Sequence, residues 1–172
     1  MFSLSNVIVQ NSFVNGLLLS DSESLLLDSL YVYNSGGDGI KIVSGGKNVE
    51  ITECISNENN GSGIVSTATG NLLFQTCTTS DNGGSGILSL GTGYDSLASC
   101  ISSGNTNSGY QLSDNSSLTS CISTEKGVGV DISGVTGCVI TSGLCSTNTL
   151  AGILFAASTF DSIVSSYHIM DK

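Results

Sequence analysis

The chain contains no arginine, no tryptophan and no proline, only four lysines (Lys41, Lys47, Lys126, Lys172) and a single histidine, His168. Against those lysines stand 14 acids, for a net charge of −10. Phosphate backbones and anionic lipid surfaces are held by Lys and Arg, so this balance argues against nucleic acid and anionic membrane as partners. No apolar run reaches the roughly 18 residues that a membrane helix requires, and no membrane insertion is expected. Residues 1–12 lack the basic start and long apolar stretch of a signal peptide. Helix-forming Glu, Lys, Ala and Gln are scarce, whereas short β-type runs abound. There is no CxxC and no Cys/His pair at zinc spacing, so neither a metal nor a cofactor is expected.

What the chain does have is 22 glycines, many Ser, Thr and Asn, and a repeat. Cysteine recurs at Cys54, Cys77, Cys100, Cys121 and Cys145, at intervals of 23, 23, 21 and 24 residues. A glycine followed by an apolar residue keeps step: Gly39-Ile40, Gly63-Ile64, Gly86-Ile87, Gly109-Tyr110, Gly129-Val130, Gly152-Ile153. Two residue types repeating together mean one structural unit copied along the chain, which is the signature of a solenoid. In stacked copies equivalent cysteines lie about 4.8 Å apart with parallel Cβ vectors, a poor geometry for a disulfide. The cysteines therefore read as a ladder of small buried hydrophobes with free thiols.

Aligned on the cysteine, the reference positions are Ser12, Leu30, Cys54, Cys77, Cys100, Cys121 and Cys145. Before each lies a turn residue, usually Asn, followed by alternating apolar and polar residues, as in Asn48-Val-Glu-Ile-Thr. That period of two marks a strand with one buried face. A second strand holds the cysteine, a polar loop follows, and a third strand begins after the glycine. The pattern predicts an all-β chain, a single parallel β-helix domain over residues 1–172. It has about seven coils of about 23 residues with three short strands per coil, and segment Phe160–Tyr167 opens an incomplete eighth. Such a segment is expected to belong to a larger protein or assembly.

The stretch from Asn48 to Ile64, with Cys54, Asn57 and Gly63-Ile64 at its key positions, resembles the repeat of the pectate-lyase-like superfamily of right-handed parallel β-helices. The resemblance covers nearly the whole chain and implies right-handedness, as does the usual bias of parallel crossovers. It implies no single activity, because enzymes, tailspikes, adhesins and structural proteins share the repeat. One departure is the apolar residue directly after the cysteine (Ile55, Ile101, Ile122), where the superfamily more often has it one position later. A shift of one residue flips a side chain to the other face. If the cysteines point inward, Tyr31, Ile55, Ile101 and Ile122 form an outward apolar ridge, with Leu18, Val65, Leu88 and Leu154 added from the third strands. The alternative is that the turn buries the isoleucines and no ridge exists.

The lyases and hydrolases of the superfamily imply a basic residue beside calcium-binding aspartates, or several close aspartates with His, Arg and Lys. Neither set is found in this sequence, which is identified as resembling a non-catalytic member. The best local acidic group is Asp28, Glu50 and Glu53, on neighbouring coils near the first corner. It is a candidate acid/base pair or weak calcium site, weighed against a solvated corner. Asp38 reads as a loop corner, and Asp95 as a polar residue on an otherwise mostly apolar column. Apolar ridges and open helix ends lead to the expectation of a non-enzymatic structural module. It would pack side to side or end to end, as a homo-oligomer or in a larger assembly, on a virion or extracellular surface. The alternative is a carbohydrate-binding or carbohydrate-cleaving domain with a glycan as partner.

Overall fold

One residue in the left-handed region makes the first corner of every coil, and the strands take their positions from it. Asn6, Ser29, Glu53, Thr76, Ser99, Ser120, Ser142 and Ser166 all have φ between 52° and 56°. The residue after each points into the core, and the chain leaves in a new direction. The computed structural model describes residues 2–21, 23–43, 47–156 and 161–170. Among them every strand pairs in parallel with its equivalent one coil away, forming sheets of eight, eight and seven strands. The result is an all-β right-handed solenoid of about seven turns with about 23 residues per turn.

The first sheet comprises Phe2–Ser5, Ser24–Asp28, Asn48–Thr52, Asn71–Gln75, Asp95–Ala98, Ser117–Thr119, Val139–Thr141 and Ile163–Ser165. Its inner column, Leu27, Ile51, Phe74, Leu97, Leu118 and Ile140, is fully buried. Burying each such side chain contributes about 1.5–3 kcal/mol, so this stripe is one of the main apolar contributions to the fold. The second sheet runs from Ile8–Gln10 to His168–Met170, which form its outermost strands. The third runs from Leu17–Ser20 to Ala151–Leu154. Phe160 lies outside the described residues, and the eighth coil supplies the strands Ile163–Ser165 and His168–Met170.

The cysteine ladder is real but shorter than the spacing suggests. Backbone bonds from Tyr31 N to Val7 O, Ile55 N to Leu30 O, Thr78 N to Cys54 O and onward to His168 N to Gly143 O define one column. It reads Val7, Leu30, Cys54, Cys77, Cys100, Cys121, Gly143 and Tyr167. Ser12 and Cys145 are not in it. Cys145 stacks two residues further on, against Ser123 in the inner column of the second sheet. A shift of two residues keeps a strand side chain on the same face, so alternation alone could not separate the two placements. At the true position, a Cβ on Gly143 would collide with the Tyr167 ring. Tyr167 occupies that space and donates from its hydroxyl to Cys121 O at 3.3 Å.

The inner column of the second sheet is polar in its middle: Ser56, Thr79, Ser102 and Ser123 are fully buried. Their hydroxyls are satisfied within the fold. Ser56 Oγ donates to Gly63 O at 2.7 Å, and Ser102 and Ser123 to Gly109 O and Gly129 O at 3.3 and 3.2 Å. Glycine is needed opposite them, because a Cβ on Gly63 would lie 2.8 Å from Gly86 O in the next coil.

At the corner between the second and third sheets, asparagines replace apolar residues in the interior. Asn59 Nδ2 donates to Asn82 Oδ1 at 2.9 Å, and Asn82 Nδ2 to Asn105 Oδ1 at 2.8 Å. Each Oδ1 also accepts a backbone N–H from the preceding coil: Ser35 to Asn59, Asn59 to Asn82, Asn82 to Asn105, all at 3.0 Å. The column continues through Glu125 and Asn148. Glu125 is the one acid in a stack of amides, with its carboxylate taking both the N–H and the Nδ2 of Asn105.

Candidate functional site

Strand pleating turns every second side chain of the first sheet outward, and the coil repeat aligns these into columns along the helix axis. The middle outer column places Leu26 opposite Glu50, Glu50 opposite Leu73, and Leu73 opposite Ser96. Beside it Asn48 pairs with Asn71, and Tyr94 follows, its N–H donating to Asn71 Oδ1 at 3.2 Å. Leu26, Asn48, Glu50, Asn71, Leu73 and Tyr94 line an open groove of about 430 Å³. It crosses four strands, roughly 14 Å at the usual strand spacing, which suits an extended ligand of several units rather than one small molecule. Tyr94 is 68% exposed and forms one wall. The lining is amphipathic: aliphatic and aromatic faces, two amides and one carboxylate.

Of the three acids proposed from the sequence, the structure brings two together. Asp28 faces outward opposite Thr52, two residues along from the Leu26–Glu50 pair. Asp28 and Glu50 therefore stand diagonally on adjacent strands, about 8 Å apart at Cα by strand geometry. Asp28 also accepts from its neighbour Ser29 Oγ at 3.3 Å. Glu53 does not share this face: it is the left-handed corner residue before Cys54, its N–H donating to Gln75 O at 2.9 Å. Among the described residues no group of three His, Cys, Asp or Glu side chains is arranged to hold a metal ion. Asp38 is occupied structurally, accepting from the Ser62 N–H at 2.9 Å and pairing with Lys41 at 2.9 Å.

The second sheet resolves which face the isoleucines take. Tyr31, Ile55, Ile101 and Ile122 stack in one outer column that continues to Leu144 and His168 and is interrupted by Thr78. Ile55 and Ile101 are 40% and 43% exposed, so the ridge exists. The third sheet does not extend it. Leu18, Val65, Leu88 and Leu154 share their column with Lys41, Gln111 and Asp131, and Val65 is buried. Long neighbouring side chains on either side of Val65, Lys41 and Leu88, stand in the positions that would otherwise admit water.

Two further acids lie inside the coil. Asp95 takes the place of Leu72 and Val49 in an inner column of the first sheet, and its carboxylate accepts from the Ser89 and Ser113 hydroxyls. Its alternation with outward Ser96 marks it as interior, a signal already present in the sequence. Burial raises the affinity of both Asp95 and Glu125 for a proton, against the opposing hydroxyl and amide hydrogen bonds. A buried acid whose native pKa exceeds its unfolded value costs stability at pH above the native value, and that cost vanishes below the unfolded value. Unfolding free energy is thus expected to rise as pH falls from neutrality through the raised native values toward the ordinary carboxylate range. Urea melts across that range check this, and the slope should flatten in the Asp95→Asn, Glu125→Gln double variant. An unchanged slope in that variant would assign the effect to the surface charge instead.

The family model described as "Right handed beta helix region" matches residues 1–142. No curated protein matches the chain. Among solved structures, a double mutant of the periplasmic alginate epimerase AlgG superposes with a TM-score of 0.73 and 17% identity, over 94% of this chain and 45% of that one. A single mutant of the same enzyme gives 0.76 and 12%, over 98% and 49%. The A-module of the mannuronan C-5 epimerase AlgE4 from Azotobacter vinelandii gives 0.56 and 13%, over 99% and 57%. The chain spans about half the length of these structures, and at such identities the likeness is one of fold.

Proposed function

The chain belongs to the right-handed β-helix family, and from that premise we propose that it is a carbohydrate-binding domain whose site is the groove on the outer face of the first sheet. The observation that carries this reading is the groove itself. It is an open trough across four strands, lined by Leu26 and Leu73, the exposed ring of Tyr94, and polar groups from Asn48, Asn71 and Glu50. Sugars present apolar ring faces edged by hydroxyls, so aromatic and aliphatic surface beside amides and a carboxylate matches both parts. The similarity in fold to enzymes named for alginate and mannuronan supports the same class of ligand. The periplasmic location in the name of AlgG supports action outside the cytoplasm.

Affinity electrophoresis in gels containing soluble polysaccharides tests the proposal. Retardation by at least one polymer is expected, weakened about tenfold in Tyr94→Ala through loss of the ring's stacking surface. No retardation by any polymer removes the reading. The same polymers test for cleavage, because Asp28 and Glu50 place two carboxylates outward on adjacent strands of the same sheet, and glycoside hydrolysis uses such a pair. Product release abolished by either Asp28→Asn or Glu50→Gln would extend binding to hydrolysis.

The apolar ridge of the second sheet favours a second reading, lateral association of copies through Tyr31, Ile55, Ile101 and Ile122. Sedimentation at high protein concentration is expected to show a mass above the monomer that falls in Ile55→Asp, Ile101→Asp. A monomer at every concentration removes it.

A further inference from the structure

We propose that the ligand of the first-sheet groove is an uncharged glycan and that polyuronates, the polymers on which the structural neighbours are named to act, are excluded. This inference rests on the carbohydrate reading of the groove and adds the ligand's charge class.

The electrostatics of the groove and its surroundings carry this assignment. The chain carries −10 overall, with no arginine to form a bidentate pair with a uronate carboxylate. Each described lysine is placed away from that task. Lys41 lies on the third sheet and is held by Asp38 at 2.9 Å. Lys126 follows Glu125 at the opposite corner of the coil. Lys47 precedes the groove strand Asn48–Thr52 and is the nearest cation, but the carboxylate of Glu23 lies 3.9 Å from it. Apart from Lys47 and its partner Glu23, the fixed charges within and around the groove are negative: Glu50 in its lining, Asp28 on the adjacent strand, Glu53 at the corner beyond. A polyuronate laid along these coils would bring a carboxylate toward Glu50 with no arginine nearby and with Lys47, which already faces Glu23, as the sole lysine beside the groove among the described residues. Its neighbours would feel the field of the whole acidic surface.

The groove's polar groups suit hydroxyls instead. Asn48 and Asn71 offer donors and acceptors, and the Glu50 carboxylate is an acceptor that two hydroxyls can share. Tyr94 and the leucines supply the flat apolar contact that a neutral ring presents. Every recognition element in the trough is thus one that an uncharged sugar satisfies, and one of them is repelled by an acidic sugar.

The test compares the intact chain in gels containing a neutral β-glucan, a mannan or a galactan with gels containing alginate or polygalacturonate, each with chelator and with calcium chloride. The expected result is retardation by at least one neutral polymer and none by either polyuronate in any condition. Retardation by the neutral polymer should persist when salt is raised from low to about physiological strength, where charge-driven contacts weaken. In Glu50→Lys, alginate retardation is expected to appear. Retardation of the wild-type chain by alginate or polygalacturonate, with or without calcium, overturns the uncharged assignment while leaving the carbohydrate reading intact. Absence of retardation by all five polymers overturns the carbohydrate reading and this inference with it.

Discussion

Replacing Asn82 with alanine is expected to lower the unfolding free energy by about 3–5 kcal/mol, among the largest effects of any single substitution in this chain. The reason is the number of buried partners that one side chain satisfies. Asn82 Oδ1 accepts from the Asn59 N–H at 3.0 Å and from Asn59 Nδ2 at 2.9 Å. Its Nδ2 donates to Asn105 Oδ1 at 2.8 Å and to Ser56 O at 3.1 Å. Alanine leaves two donors on Asn59 without an acceptor in a corner with almost no solvent access, and each stranded group costs about 1–3 kcal/mol. Urea unfolding measures the difference, with the slope of free energy against denaturant expected to stay constant. A loss below about 1 kcal/mol would mean that water enters the corner and takes over the lost bonds. Asn82→Asp is the informative companion. It keeps the acceptor for Asn59 but sets a carboxylate against Asn105 Oδ1, so its defect should shrink on acidification.

The second large effect concerns the thiols. All six cysteines are free and buried. Reaction with a thiol reagent in the native state is expected to be slower than in the unfolded chain by roughly a thousandfold or more, the range set by the unfolded population. The thiolate is the reactive form, burial keeps reagent from all six sulfurs, and at most of the shifted positions the interior also disfavours the thiolate. Burial pushes Cys54 up to about 11. Hydrogen bonding to Cys100 and burial hold Cys77 and Cys121 far above the ordinary thiol range, whereas the same hydrogen bonds pull Cys100 between them down to about 4, so the protection of Cys100 rests on its burial alone. In denaturant without reductant, six equivalents should react. A count of four would reveal a disulfide and sink the reading of the cysteines as packing groups. Fast native reaction of one or two would mark a coil that opens locally.

These two expectations draw on columns that were legible to different degrees. The cysteine ladder was visible as spacing, yet its last member was misplaced, because Cys145 lies two residues from Gly143 and therefore faces inward as well. Coil length drops from 23 to 21 and 22 residues in that part of the chain, and only the backbone pairing shows where residues were lost. The asparagine column read as polar loop. Nothing in a single copy says that Asn59, Asn82 and Asn105 point into the helix, since asparagine is equally suited to a solvated turn. Their interior position follows from the left-handed residues Glu58 and Asp81 and Gly104 immediately before them, which reverse the direction of the next side chain.

The same division holds at the candidate site. Asp28 and Glu50 were identifiable as neighbours once the repeat was aligned, because equivalent positions stack one coil apart. The same alignment sets Glu53 near them at the first corner, but the left-handed corner it forms turns it off their face. Tyr94 was visible as one of five tyrosines. Its place at the wall of a groove depended on where Asp95 turns inward and on Asn71 holding its backbone.

By itself the amino-acid sequence determined the class of fold, the repeat length and the absence of a basic surface. Each of these is carried by composition or by a period, and a period survives without knowledge of any contact. The tertiary structure decided the rest: the exact register of the first and seventh coils, the outward turn of Ile55, Ile101 and Ile122, the buried amide column, and the groove of the first sheet. These depend on which residue occupies the left-handed corner. A shift of one position there exchanges core for surface, and only the stacked coils together select the arrangement in which the side chains of Asn59, Asn82, Asn105 and Glu125 find their partners.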